Sequence, residues 1–217
     1  MNILNKIRAL LLVLACASGS QAHATVVYTD WINNQSTVGN YTLSITHTGN
    51  QFSYNLTVDP WNAEALGLFI DLGAATIGNV GLVNLLPAAP VTLFGTDATA
   101  NSCGSGCNLN GLALPNRIGG DWELIFKLGS TGFDGIQTYS WLSNDFGLTE
   151  SAFGLAAIRA QQLCTGDNLL PSASCTGSDK AYSTAPVTPS NQVPEPAALA
   201  LAALALLGLG LARKRIG

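Results

Sequence analysis

Histidine is nearly absent: two occur in 217 residues, and one of them, His23, precedes the expected start of the mature chain. That leaves His47, so metal centres built on several histidines are excluded, and a Ser-His-Asp site would have to use this one residue. No Gly-x-Ser-x-Gly elbow is present to supply the nucleophile. Bases are almost as scarce. Between residues 25 and 193 they are Arg117, Lys127, Arg159 and Lys180, set against twelve acids from Asp30 to Asp179, a net charge of roughly −8 for that segment. Such a surface repels phosphate backbones and anionic lipids, which removes nucleic acid as a partner. Also missing are internal repeats, a long amphipathic helical pattern, an EF-hand loop and zinc-knuckle cysteine spacings. The chain implies no cofactor and no metal.

The basic residues lie instead at the two ends. Lys6 and Arg8 precede an apolar run over 9–17 and then small and polar residues up to Ala22-His23-Ala24. This order is that of a secretory signal peptide occupying 1–24, with Ala22 and Ala24 at the cleavage site. Its apolar core is too short to span a hydrocarbon layer of roughly 30 Å. Val13-Leu14-Ala15-Cys16 loosely resembles a lipoprotein signal, but Leu14 fits poorly and the Ala-x-Ala ending fits better. At the other end, Pro194-Glu195-Pro196 is followed by an unbroken apolar stretch at 197–212 and then Arg213-Lys214-Arg215. The prolines stop a helix from extending backwards, the Leu/Ala run favours one, and the basic triplet prefers the cytoplasmic face. Sixteen residues reach about 24 Å as a helix, enough for a provisional transmembrane anchor and short for a permanent one.

These three parts in this order resemble the PEP-CTERM sorting signal of Gram-negative bacteria, here at 193–217. The resemblance implies entry through the general secretory machinery and brief residence in the inner membrane. It also implies recognition by an exosortase, which cuts near the PEP motif and passes the protein to the cell surface or the extracellular space. Systems of this kind accompany exopolysaccharide or biofilm production, so the resemblance implies a surface or matrix protein. It concerns sorting and assigns no activity to the rest.

The segment between the ends is large enough for one domain with its own core. Tyr41, Leu43, Ile45 and His47 alternate with polar residues, and after Thr48-Gly49-Asn50 the alternation resumes at Phe52, Tyr54, Leu56 and Val58. This is a β-hairpin. Further strands are expected over 26–30, 66–72, 77–85, 91–94, 122–128, 136–142 and 153–163, the last of which also suits a short helix. Glycine, proline and asparagine separate them. Short punctuated strands without long helices point to a single antiparallel β-sandwich over 25–180, of jelly-roll or immunoglobulin-like type. Residues 95–120 read as a loop, and 181–192 as a Ser/Thr/Pro linker.

Four cysteines follow the signal peptide, Cys103, Cys107, Cys164 and Cys175, an even number in a compartment that permits disulfides. Three connectivities are possible; the two local pairs, Cys103–Cys107 and Cys164–Cys175, are favoured. Paired carboxylates could hydrolyse a glycoside, and Asp121, Glu123, Asp134, Asp145 and Glu150 lie in adjacent segments, but spacing alone does not set their separation. Asp97 to Asn101 and Asp134-Gly135 offer oxygen ligands of the kind calcium takes. Among Trp31, Trp61, Trp122 and Trp141, Trp61 follows Asp59-Pro60 in a turn and is the candidate glycan contact; Trp122 and Trp141 fall in strand runs, where aromatic rings ordinarily pack the core. The expectation is a non-enzymatic exported surface protein, with a carbohydrate-binding module as the second reading and a carboxylate-dependent hydrolase as the third.

Overall fold

Alternation of apolar and polar side chains produces most of the strands in the computed structural model, which describes residues 25–33, 38–78, 91–130, 132–164, 175–184 and 186. The strands are β1 (Thr25–Tyr28), β2 (Ile32–Asn33), β3 (Tyr41–Thr48), β4 (Gln51–Val58), β5 (Glu64–Ile70), β6 (Val91–Gly95), β7 (Leu124–Leu128), β8 (Thr138–Asn144), β9 (Ala156–Leu163) and β10 (Gly177–Ser183). Among the described residues the one helical element is a 3-10 turn at Glu150–Ala152, and no helix is long and apolar enough to cross a membrane. The signal peptide at 1–24, the PEP motif and the anchor at 197–212 lie outside the described residues.

Every strand pairing is antiparallel. One sheet has four strands in the order β1-β3-β4-β8, and the other has six in the order β2-β10-β9-β5-β7-β6. The β3–β4 hairpin closes through Gly49-Asn50, with Thr48 opposite Gln51. Gly49 has φ +62°, the backbone that a two-residue hairpin turn demands and that glycine adopts without steric cost.

The sheets face one another across a shared core. Leu43, Ile45, Phe52, Tyr54, Leu56 and Trp141 come from the first sheet, and Leu68, Ile70, Phe126, Ile158 and Ala181 from the second. At its centre Tyr54 and Trp141, opposite each other on β4 and β8, stack with centroids 4.9 Å apart and planes 4° from parallel. Phe126 reaches over from β7 to meet the Trp141 ring at 5.1 Å in an edge-on contact. The Tyr54 hydroxyl lies 2.9 Å from Ser143 Oγ, so the ring is buried without orphaning its polar tip.

A second apolar layer explains why all seven residues of β5 are buried. Leu66, Phe69, Ile125 and Ala157, on the outer face of the six-stranded sheet, are covered by Cys103, Cys107, Leu109, Leu112 and Trp122. The glycine-rich stretch at 95–120, expected to be loop, is therefore loop with a core of its own. Cys103–Cys107 and Cys164–Cys175 are both disulfide-bonded, with Cα atoms 5.1 and 5.3 Å apart, so the two local pairs are the connectivity present. The first disulfide lies directly on the sheet: a Cβ at Gly67 would collide with both sulfurs. Opposite the bulge in β5 between Ala65 and Gly67, glycine is what lets the crosslink approach.

Two expectations need correction. β10 runs through 181–183, the first residues assigned to the linker, so the domain extends past 180. Its inward positions are Asp179, Ala181 and Ser183, all buried, and none announces a core face in the sequence. Ile77 and Gly78 belong to a loop and no strand begins at 77; the remainder of that expected strand lies outside the described residues. The expected strand at 153–163 is present from Ala156 onward, where β5 and β10 flank it and take up its backbone groups on both edges.

Candidate functional site

The end of the molecule where β4 ends and β5 begins gathers the groups that can meet a ligand. The turn at Asp59-Pro60-Trp61-Asn62 is held by Asn40: Asn40 Nδ2 donates to the Pro60 carbonyl at 2.8 Å, Asn62 Oδ1 accepts from the Asn40 amide at 3.0 Å, and the Asp59 amide donates to the Asn40 carbonyl at 2.9 Å. Trp61 is half-buried against the core and lies near-parallel to Phe133, with centroids 5.9 Å apart and an interplanar angle of 25°. Phe133 is 41 % exposed. The candidate contact Trp61 is thus one of a pair, and the more exposed ring is one that the sequence reading passed over. An aromatic residue between Gly132 and Gly135, in a turn too short to hide it, is the signal that was available.

Asp134 fixes the loop that carries Phe133. Its Oδ2 accepts from the Ser130 amide at 2.7 Å and its Oδ1 from the Ile136 amide at 3.0 Å. Beneath it Glu64 is 1 % exposed, with Oε1 accepting from the Gly135 amide at 3.3 Å. Among the described residues no N–H reaches Glu64 Oε2, whose neighbour is the Asp134 carboxylate. Two carboxylates in contact repel unless one carries a proton. Burial foremost, then the hydrogen bond and charge of Asp134, push the Glu64 carboxyl up to about 8. Both causes favour the protonated form of Glu64, while Asp134 accepts from two backbone N–H groups.

The opposite end holds the other carboxylates singled out in the sequence. His47 lies between Asp145, 3.0 Å from Nε2, and Glu150, 3.3 Å from Nδ1, and its side chain is 19 % exposed. The expected strand histidine is accordingly a tie between the β3–β4 hairpin and the loop after β8. Asp145 is held below the usual carboxylate range, chiefly by the Gly147 amide and then by His47. Glu123 is buried with Oε2 accepting from the Leu72 amide at 2.6 Å, and burial pushes it up to about 7. Asp97, read as a possible calcium ligand, accepts from the Ile77 and Gly78 amides at 2.9 and 2.6 Å. Among the described residues no group of three or more His, Cys, Asp or Glu is arranged to hold a metal ion. Trp122 and Trp141 are core residues with no exposure, and Trp31 is buried as well.

The described part of the chain is thus a mainly β, disulfide-crosslinked domain of two antiparallel sheets, with an aromatic pair and an acid pair at one end. Its class is refined by the far end of the sequence, where residues 192–215 match the family of the PEP-CTERM protein-sorting motif. The chain carries a PEP-CTERM sorting motif, which indicates an exported, exosortase-processed protein that reaches the cell surface. No curated protein and no solved structure matches the chain.

Proposed function

We propose that the mature domain is a non-enzymatic β-sandwich of jelly-roll or immunoglobulin-like type. It associates with exopolysaccharide at the cell surface or in the biofilm matrix, and Trp61 and Phe133 make the glycan contact. The observation that carries this reading is the near-parallel ring pair at one end of the domain, with Phe133 open to solvent. Apolar faces of sugar rings stack on such surfaces at little cost in side-chain entropy. The disposition of the acids favours binding over hydrolysis. Asp134, Asp145 and Glu123 already accept backbone N–H groups, and four of the five acids that are close in sequence are split between Glu64, His47 and Leu72 as partners.

The route that goes with this reading has a signal peptide at 1–24 entering the general secretory machinery of a Gram-negative bacterium. A helix at 197–212 then holds the chain in the inner membrane until exosortase removes it. Mass spectrometry of the surface protein should find new ends near Thr25 and near Pro194-Glu195-Pro196; surface protein that keeps Arg213-Lys214-Arg215 would overturn the route. Binding to the producing organism's own polysaccharide should fall about tenfold or more in W61A/F133A. Binding that is absent in the parent chain or untouched in the double variant would overturn the glycan reading.

A further inference from the structure

We infer that a second glycan subsite lies beside the aromatic pair, in the groove bounded by Asp30, Trp31, Ile32, Asn40, Tyr41 and Asp59, and that it takes a neutral, hydroxyl-rich sugar unit. This rests on the glycan reading above and extends it to residues on the other side of the Asn40 tie. The groove encloses about 450 Å³, the size of a small-ligand cleft. One wall is aromatic: Trp31 and Tyr41 meet edge to face with centroids 5.7 Å apart, and both are buried, so their positions are fixed before any ligand arrives. Tyr41 is locked further by its hydroxyl, which donates to the fully buried Asp179 at 2.9 Å. At the mouth Ile32 is 51 % exposed and offers the apolar patch on which a pyranose C–H face rests.

The polar groups complete the match. Asp30 and Asp59 are exposed, and the lining adds threonine hydroxyls from Thr29 and Thr42. Carboxylates that accept from paired hydroxyls, with hydroxyls and an apolar wall beside them, are the groups a polyol presents itself to. Among the described residues no lysine or arginine lines the groove, and the segment over 25–193 is strongly acidic. A uronate or sulfated sugar would meet two uncompensated carboxylates there, which excludes anionic polymers by charge. Asp59 and Asn40 line the groove and also hold the turn that presents Trp61, so the groove and the aromatic pair form adjacent subsites on one rigid frame. Two adjacent subsites favour a polymer over a monosaccharide, because the second contact forms at high effective concentration.

Affinity electrophoresis tests this with the exported chain as purified from its host, run through gels containing dextran, mannan, polygalacturonate or chitosan. Retardation by at least one neutral polymer is expected, none by polygalacturonate, and a drop of about tenfold in apparent affinity for D30A/D59A. Both substitutions sit on exposed side chains, and circular dichroism of the variant should be unchanged. A parent chain retarded as strongly by polygalacturonate as by dextran or mannan, or by chitosan alone, would overturn the neutral-sugar assignment. Retention that is lost in W61A/F133A but intact in D30A/D59A would overturn the groove while leaving the aromatic contact standing. Retention by no neutral polymer would overturn both.

Discussion

Replacing Glu64 by glutamine should flatten the pH dependence of stability without unfolding the domain. Glutamine keeps the size of the side chain, keeps a carbonyl for the Gly135 amide and supplies a permanent N–H toward Asp134, so it copies the protonated acid and removes only the titration. The sign follows from where the proton is bound. In the unfolded chain Glu64 releases it near its ordinary value of 4.5, whereas the folded protein holds it to about 8. Between those values the native state binds more protons than the unfolded state, so stability is complete below about pH 4.5 and declines as pH rises through 8. A displacement of that size corresponds to about 5 kcal/mol if fully expressed. Glu64 makes almost no solvent contact but lies under a thin cover of loop atoms, so screening brings the expected loss nearer 1–2 kcal/mol. Urea unfolding of the disulfide-intact protein at pH 5, 6.5 and 8 measures it. The parent chain should lose stability across the series, and E64Q should lose less. Glu123, raised in the same direction, leaves a residual slope that E64Q/E123Q removes. A parent stability that is constant or rises from pH 5 to 8, or an E64Q slope equal to the parent's, would refute the shared-proton account.

Two further substitutions probe the frame. Gly67→Ala places a methyl group against both sulfurs of the Cys103–Cys107 disulfide and should destabilise by about 2–3 kcal/mol; in a C103A/C107A background most of that penalty should vanish, so a double-mutant cycle that proves additive would show that the contact is not the cause. Asp179→Ala leaves the Tyr41 hydroxyl and the Gly39 amide buried without their acceptor and should cost about 3–5 kcal/mol in thermal or urea unfolding, with Asp179→Asn costing less; an alanine variant within 1 kcal/mol of the parent would refute this role.

Legibility in the sequence followed the presence of a one-sided apolar pattern. The β3–β4 hairpin and β8 each bury alternate side chains and leave the rest more exposed, so their period is visible. β10 buries an aspartate, an alanine and a serine, and its pairing with β9 depends on a strand it meets only in space. The loop over 95–120 looks solvent-facing because its glycines and asparagines dominate, yet its cysteines, leucines and Trp122 fill a second core; composition averaged over the segment hides which few positions point inward. Trp61 stands out in the sequence because a ring following Asp59-Pro60 falls in a turn. Phe133, Glu64 and Asp134 were not connected to it, since Glu64 precedes Asp134 by 70 residues and only the pairing of β5 with β7 and β9 brings them together.

The scarcity of bases ties the interior to the surface. A domain with four basic residues between 25 and 193 cannot neutralise its buried acids with ion pairs, and each acid finds another solution. Asp179 takes a tyrosine hydroxyl and a backbone amide; Glu123 takes the Leu72 amide; Glu64, buried beside a second carboxylate, has its protonated form favoured. Burial pushes both Glu64 and Glu123 upward, so each shift acts to reduce the negative charge the folded segment carries near neutrality. Folding thus places part of the acidity inside the domain and leaves Asp30 and Asp59 exposed at one end, with no base among the described residues that line the groove.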